Sequence, residues 1–584
     1  MKAIRRLLTH HRLAYLIYIV HATLWLLLAP PWQGPDEPGH YEYALLLARL
    51  HRPPRPADMD PDLEARIIRA LDAADFWTLN RVPRPDPLPH TFAQDPFLKR
   101  SGTQLGNESP LYYIVPALLT RLLPGPDLHC RAARLWSALL GLGIIVLAAR
   151  SAPLLWPRAP GLQRAFPLLL ALLPMPTFIH ATFNSNALAD LVGAAFFYFA
   201  WRLLRGNRSW RTRIGFGGAV ILALLVKRTT LLLLPLALGL PCLLCRRRRI
   251  VHWTLLVAAV MGLVLFPRAP QWSDGWFLGR AHRPAPRVRV GPGEHAMLLT
   301  GRGGKAPREF LVQDRVGYAV AGLRGKAVLF RARLQSLDGP TWACLSVSDG
   351  WARRTTCAWV PQRGRTVYVR HLVHPAATYV RLVVGLGNPR EQGVRGRILV
   401  DKVRLIVGTS LEEGVENGDA ERPYHRVRGW LHRLGWLSEE RASPREHLVH
   451  WALAAAVLFT SFWGNFGWLK YPLPVPVYGV LAFFTLVVLI GWVRWWRGTR
   501  GPDRAVWTFT GAGGMWFLLA MFLAAWRVDW LPQGRYLFPA LLPLGAMGIS
   551  GWAVWFPEAY RERAVWGLVA GAVLLTFLAF LVAP

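Results

Sequence analysis

The sequence predicts a polytopic α-helical membrane protein carrying an inserted extracytoplasmic β-sandwich. Three observations predict it. Hydrophobic residues, 53% of the 584, gather into long blocks instead of the spacing of amphipathic soluble helices. Arginine clusters separate the blocks. One central interval replaces the blocks with short Val-, Tyr- and Thr-rich runs cut by Gly, Pro and Asp. A disordered tail and an ordinary soluble enzyme are thereby excluded.

A spanning helix needs ~20 mostly apolar residues. The blocks Leu13–Pro31, Leu135–Leu155, Ala165–Ile179, Ala187–Leu204, Ile214–Val226, Leu231–Leu244 and Ile250–Phe266 are read as spans. Val475–Val493, Ala505–Trp526, Leu537–Phe556 and Val565–Val582 follow as short, tilted ones. The opening MKAIRRLLTHHR is followed by no small-residue cleavage site, which predicts a retained signal-anchor. Leu111–Leu123 and Trp451–Trp463, 13 residues each, are too short to cross and read as interfacial or re-entrant helices.

Excluding those two, with the N-terminus inside, puts every arginine-dense loop on the cytoplasmic side: Arg150–Arg164, Arg202–Arg213, Arg246–Arg249, Arg494–Arg504 and Arg561–Arg563. The count is then about 11 transmembrane helices, with the C-terminus outside. Lys and Arg exceed Asp and Glu by 69 to 34, a net charge of +35, but topology already demands that charge, so nucleic acid is not an expected partner. Membrane lipids are. The expected organisation is an N-terminal membrane module, 1–267, with a first outer loop over 32–134; a sandwich over 268–420; and a C-terminal membrane module, 421–584, with an interfacial helix over 447–468.

The sandwich runs include GKAVLFRARLQSL, TWACLSVSDG, RTVYVRHLV, TYVRLVVGLG and GRILVDKVRLIVG. Turn signals every eight to twelve residues suit a jelly-roll of roughly eight or nine strands. The last run is similar to the closing strands of carbohydrate-binding jelly-roll modules. A glycan-binding module and a structural cap are both open readings. Cys344 and Cys357 fall on neighbouring strands and predict a disulfide. Cys242 and Cys245 form a C-x-x-C with no second pair, so two buried thiols are expected; Cys130 stands alone.

Chemistry is expected where polar residues converge at a membrane surface. PPWQGPDEPGHYEYA follows the first span and sets Asp36 beside Glu37, with His40 and Glu42 beyond. Low-dielectric surroundings would raise such a carboxyl toward the range of a general base; a plain turn flanked by Pro35 and Pro38 is the alternative. Lys227 and Arg228 end a span on the outer side, where a phosphate partner and snorkelling are both open. HATFNSNALAD brings His180, Asn184, Asn186 and Asp190, the asparagines suited to a sugar or phosphate. Gly301–Lys305 lacks P-loop spacing, and Glu446, His447 and His450 lack the zincin order.

The PDEP-x-H pattern at Pro35–His40, SPLYYIVPALL at Ser109–Leu119, FWGNFGW at Phe462–Trp468 and QGRYLFPALLP at Gln533–Pro543 resemble the GT-C glycosyltransferases. They are most similar to a bacterial branch of polytopic membrane proteins sharing PDEP-x-H, FWG-x-FGW and QGRYL-x-P. The resemblance covers nearly the whole membrane part and leaves the sandwich unexplained. It implies a GT-C-like fold in the bacterial cytoplasmic (inner) membrane. It also implies transfer of a sugar from a polyprenyl-phosphate carrier to a glycan, lipid or protein acceptor on the extracytoplasmic side. A first-loop acid that serves as base or helps hold a metal maps to Asp36, with Glu37 beside it.

These residues suit that reaction. An acceptor hydroxyl must lose a proton, which asks for a carboxylate. Arg535 is the candidate for the departing phosphate, with Gln533 and Tyr536 flanking it; for Tyr536 an interfacial belt role is the competing reading. Asn186 stands where relatives often carry an acid, and SPLYY replaces their PPLYY. Asp36, Glu37 and His40 offer hard ligands for Mg2+ or Mn2+, yet these few groups define no site, so transfer without a required metal is expected. The runner-up function is a non-catalytic, glycan-binding component of envelope polysaccharide assembly or export. A transporter fits less well, since no inverted hydropathy repeat and few ionisable residues occur within the spans.

Overall fold

The protein, seen as a computed structural model, is described for residues 2–54, 58–95, 97–98, 108–123, 125–244, 268–278, 283–291, 294–302, 310–316, 323–375, 377, 379–387, 395–407, 423–425, 444–524 and 532–583. The expected span Ile250–Phe266, Cys245, Arg246–Arg249 and most of the Gly301–Lys305 turn lie outside the described residues. The chain divides into two compact units. One comprises Met1–Trp253, Ala454–Phe522 and Pro532–Pro584; the other comprises Thr254–Leu453 with Leu523–Leu531.

The first unit is helical. In chain order its helices are α1 (Lys2–Leu28), α2 (Glu37–Leu50), α3 (Pro61–Ala73), α4 (Phe76–Leu79), α5 (Pro110–Leu122), α6 (Pro126–Leu155), α7 (Pro160–Leu172) and α8 (Pro174–His180). They continue with α9 (Asn186–Leu204), α10 (Trp210–Val226), α11 (Leu233–Leu244), α12 (Pro444–Trp463), α13 (Val475–Gly498), α14 (Gly501–Ala524), α15 (Leu541–Ala553) and α16 (Glu558–Val582).

Among the described residues, seven helices are long and apolar enough to cross a membrane, and the pair α7–α8, bent by 60°, makes an eighth if taken as one span. Eleven were expected. The bend falls where Leu173 is extended and Pro174 opens the next helix, a point at which proline supplies no amide donor. Ile214–Val226 and Leu231–Leu244 are helical but short, α10 having 17 residues. Lys227 separates them in an extended conformation (φ −157°, ψ 155°) and leads into a 3-10 turn, Arg228–Leu232. The two 13-residue stretches are helical as well, the second as the end of α12. That helix stops at Trp463, short of the 468 expected, because residues 464–472 turn back through a two-stranded hairpin.

Trp32, Tyr43, Ile68, Leu71, Phe76 and Tyr113 of the first outer loop and α5 share one small core with Cys130, Ala133 and Leu140 of α6 and with Phe183 and Ala187. Trp468 joins it, its indole donating to Trp32 O (3.1 Å) and meeting Phe76 edge-on at 5.8 Å. The FWGNFGW motif therefore acts in packing through Trp468. Gly534, of QGRYL, closes the same contact. A Cβ there would lie 2.2 Å from the backbone nitrogen of Phe462, so only glycine lets the two motifs touch. Gly534→Ala should cost at least the 1–3 kcal/mol of an overpacked core, read as a lower Tm of the purified protein.

Glu42 is fully buried here beside the buried Glu64, which accepts the amide of Phe92 at 2.7 Å. Burial first, and the Glu64 charge second, push the Glu42 carboxyl well above the ordinary carboxylate range. A raised folded-state pKa means the native state holds a proton the unfolded chain releases. The associated stability is complete in acid and is lost as pH climbs out of the ordinary carboxylate range. Glu42→Gln should remove that part of the fall in Tm between acid and alkaline pH, leaving Tm in acid nearly unchanged.

The second unit is an antiparallel β structure. Its strands are β1 (Arg268–Leu278), β2 (Arg283–Gly291), β3 (Glu294–Arg302), β4 (Phe310–Val316), β5 (Ala327–Ser336), β6 (Thr341–Ser348), β7 (Arg353–Val360), β8 (Arg365–Leu372), β9 (Tyr379–Leu386), β10 (Arg395–Val407) and β11 (Pro423–His425). They pair in the order β7-β6-β9-β4-β1-β2-β3-β10-β5-β8, with β11 on β1. One core of Val, Leu, Ile and Ala is shared by both ends of that order, as the sandwich reading requires. Eleven strands exceed the eight or nine expected. β2 carries Pro284 and Pro286, which argue against a strand in sequence, and β1 begins at Arg268, ahead of the first recognised run. GRILVDKVRLIVG is one strand, its register shifting between Asp401 and Arg404. Cys344 and Cys357 stand opposite each other on β6 and β7 and form the expected disulfide.

Candidate functional site

The two carboxylates of PDEP point to different partners. Asp36 caps α2 at its N-terminus in a left-handed conformation (φ 64°, ψ 10°) that aspartate tolerates better than most residues. Its side chain makes no capping bond and instead accepts from Arg535 Nη2 at 2.7 Å. The two residues are 499 positions apart in the chain. Glu37 is fully buried in a fork from Arg134, Nε to Oε1 at 2.8 Å and Nη2 to Oε2 at 2.7 Å. It also accepts the amides of Gly34 (3.0 Å) and Phe183 (2.8 Å). Arg134 in turn donates to Ala29 O and Pro30 O, both at 2.8 Å. Glu37 thus ties the end of the first span to α6 and the 180–186 turn, and is consumed in doing so.

His40, one turn into α2, shares a 2.6 Å hydrogen bond between Nδ1 and the hydroxyl of Tyr113 on α5. Lys227, at the break after α10, sits 3.0 Å from Glu108 Oε1 and donates to Ser185 Oγ at 2.6 Å; Ser185 donates onward to Glu108 Oε2 at 2.8 Å. Asn184 donates to Pro35 O (3.2 Å) and accepts the amide of Asn186 (3.0 Å), pinning the second turn against PDEP. Gln533 and Tyr536 bracket Arg535, Gln533 O accepting the Tyr536 amide at 3.0 Å and the guanidinium standing 5.4 Å from the Tyr536 ring. Arg228 is exposed.

Asp36, His40, Lys227 and Arg535 are accordingly brought together, while Glu37 serves the scaffold and the asparagines hold the turn. Glu108, Arg134, Tyr113 and Ser185 were not singled out from sequence, although Glu108 immediately precedes the SPLYY motif. A second buried pair stands nearby in sequence: His180 Nε2 donates to Asp190 Oδ2 at 2.9 Å, and Asp190 Oδ1 has no partner among the described residues. Close packing fixes this region, since a Cβ at Gly193, one turn beyond Asp190, would lie 2.1 Å from Pro539 O in the QGRYLFPA turn.

The electrostatics correct one expectation. Burial alone would raise the Asp36 carboxyl, as anticipated, but the Arg535 charge and hydrogen bond, with Lys227 adding to them, hold it below its ordinary value. Burial also works to raise Glu108, and Lys227 with His40 and the Ser185 hydrogen bond together outweigh it, leaving that carboxyl low. Burial pushes the His40 imidazole down to about 4, so a neutral ring sits within electrostatic reach of Asp36, Glu108, Lys227 and Arg535. Two carboxylates and two cations balance around it. Arg535 Nε is buried and, among the described residues, donates to no acceptor, so the guanidinium keeps an unused donor beside its ion pair. Among the described residues no group of three His, Cys, Asp or Glu side chains is arranged to hold a metal ion.

Residues 20–278 match a family described as predicted membrane protein (DUF2142). With its apolar helices, the protein stands as a predicted membrane protein of several spans carrying a β domain. No curated protein matches. Solved structures with a likeness to part of the chain include TmCBM61 in complex with β-1,4-galactotriose, at 13% identity and a TM-score of 0.19 over 24% of this chain and 92% of that one. The CBM22-1 xylan-binding domain from Paenibacillus barcinonensis Xyn10C is similar over 25% of this chain and 95% of its own, at 11% identity and a TM-score of 0.19. A CBM4 structure matches at 17% identity and a TM-score of 0.18, over 23% and 86%.

Proposed function

We propose that the helical unit is a GT-C-type glycosyltransferase of the bacterial cytoplasmic membrane that moves a sugar from a polyprenyl-phosphate carrier to an envelope acceptor on the extracytoplasmic side. The observation that carries the proposal is the Asp36–Arg535 ion pair, which joins the candidate base to the candidate phosphate ligand at 2.7 Å. In the reaction the acceptor oxygen bonds to the anomeric carbon, and the bond from that carbon to the phosphate oxygen breaks with its electron pair left on phosphate. The acceptor proton passes to Asp36. Arg535, with its spare Nε donor, and Lys227 receive the charge that develops on the leaving phosphate.

The ion pair also bears on timing. While Arg535 is spent on Asp36 alone, the carboxylate is a weak base. Once the donor phosphate shares the guanidinium, burial acts on Asp36 with less opposition and its basicity rises. No step calls on a divalent cation. Loss of all turnover in a chelator, restored by Mg2+ or Mn2+, would overturn that part of the proposal.

The test is release of polyprenyl phosphate from a panel of labelled polyprenyl-phosphate sugars by purified protein in lipid. Wild type should release it, and Asp36→Asn and Arg535→Ala should release it far more slowly. Consumption of no carrier by folded wild type, or undiminished consumption by Asp36→Asn, would overturn the transferase and favour a glycan-binding assembly role.

A further inference from the structure

We propose that the outward face of strands β6 and β7 is a binding site for an acidic glycan, a polysaccharide whose sugars carry carboxylates. The inference concerns the β unit alone and stands apart from the transferase reading.

Alternate residues of a strand share a face. On β6, Ala343, Leu345 and Val347 fill the core. Trp342, Cys344, Ser346 and Ser348 therefore face outward, and the register sets Trp359, Cys357, Thr355 and Arg353 of β7 opposite them in turn. The strip begins with two indoles, 5.7 Å between ring centroids, crosses the disulfide and a hydroxyl pair bonded at 2.8 Å, and ends at a serine and an arginine. Seven residues of strand, six steps of about 3.3 Å, make it about 20 Å long, enough for several pyranose rings in line.

Its β7 side is open. Trp359 is 48% exposed, and Thr355 and Arg353 are exposed with it, while on β6 Trp342 and Ser348 are half-buried and Cys344 and Ser346 are buried. On the neighbouring β9, Gly385 lies beside Cys344, where a Cβ would meet nothing within 4 Å. The exposed Trp359 indole gives sugar C–H groups a flat apolar partner, and the exposed Thr355 hydroxyl supplies a donor and acceptor for ring hydroxyls.

The charge selects an acidic ligand. None of the outward residues on β6, β7 and β9 named above is acidic, and arginine occurs at both ends. Arg353 marks one end, and exposed Arg365 reaches Trp359 O at 3.5 Å at the other. Arg353 and Arg365 provide the charge at the two ends of the strip. Guanidinium forks match carboxylates bidentately.

The strip is also held rigid, which lowers the cost of ordering on binding. The disulfide joins its two strands. At the Arg353 end, Asp349 accepts the amides of Trp351 (2.9 Å), Ala352 (2.8 Å) and His374 (2.8 Å) and so fixes the connecting turn. Trp351, 55% exposed, stacks there on the His374 ring at 4.3 Å.

The experiment is titration of the full-length protein in lipid nanodiscs with an oligogalacturonide and, separately, with a neutral xylo-oligosaccharide of equal length. Saturable binding of the acidic oligomer is expected, at least tenfold tighter than the neutral one and weakening with salt. Trp359→Ala should lose about tenfold in affinity and Trp359→Tyr should regain most of it, which a folding defect would not do. Arg353→Ala should weaken the acidic oligomer and reduce its salt dependence, and Asp36→Asn should bind as wild type does. Equal binding of both oligomers, binding indifferent to Trp359→Ala, or no saturable binding would each overturn the proposal, whatever the outcome for sugar transfer.

Discussion

Asp36→Asn is expected to lower sugar transfer by about 10²- to 10⁴-fold, the range over which a positioned general base acts, while leaving donor binding nearly intact. Asn keeps the side-chain shape and tolerates the left-handed backbone that Asp36 adopts, so the protein should fold. The pH profile separates a base from a structural residue. Because Arg535 holds the Asp36 carboxyl low, the acid limb of kcat/KM, which reports the free enzyme, should fall below the ordinary carboxylate range. The acid limb of kcat, which reports the donor complex, should lie higher, since the phosphate then competes for the guanidinium. Arg535→Ala should raise the acid limb of kcat/KM as it lowers the rate, because burial then acts on Asp36 with only His40 and Lys227 against it. An acid limb unmoved by Arg535→Ala would show that the titrating group is not Asp36.

What the sequence disclosed follows the range of the forces involved. β5, β6, β8 and β9 were legible because alternation has a period of two and needs only local residues, and the Cys344–Cys357 bond followed from that register. β1 and β2 were not, because their prolines and turn-like composition hide strands that neighbours complete. Long apolar blocks marked the principal helices, yet block length could not show that Lys227 would sit extended between two short ones. Asp36, Lys227 and Arg535 stood out singly as charges near the ends of apolar segments. Their partners did not. Lys227 meets Glu108 from 119 residues away, and Arg134 meets Glu37 across 97, separations that leave no mark in any local window. For that reason the adjacent pair in PDEP looked like two candidates for one role, when one carboxylate faces the cation of a distant loop and the other is spent on the scaffold.

Arg134→Ala should give the largest loss of stability in the helical unit. The guanidinium is buried and bonds to both oxygens of a fully buried carboxylate and to two backbone carbonyls. Removing it leaves Glu37 charged without its counter-ion, which typically costs about 3–5 kcal/mol, enough to sharply reduce the yield of folded protein. The double variant Arg134→Met, Glu37→Gln removes both charges with little loss of volume and should recover much of that stability, because much of the penalty belongs to the uncompensated charge. Glu37→Gln alone should lower Tm, leaving Arg134 without a charged partner, and the fraction that folds should keep the acid limb of its pH profile. If Glu37→Gln instead folded normally and lost transfer as deeply as Asp36→Asn, the division of labour between the two carboxylates would be reversed. The same comparison tests whether the salt bridge sets the position of Asp36. Ala29, Pro30, Gly34 and Phe183 all meet this fork within 3.0 Å, so a transfer rate that falls further than the amount of folded protein would show that the fork also positions Asp36, and a fall in step with it would show a purely scaffolding role.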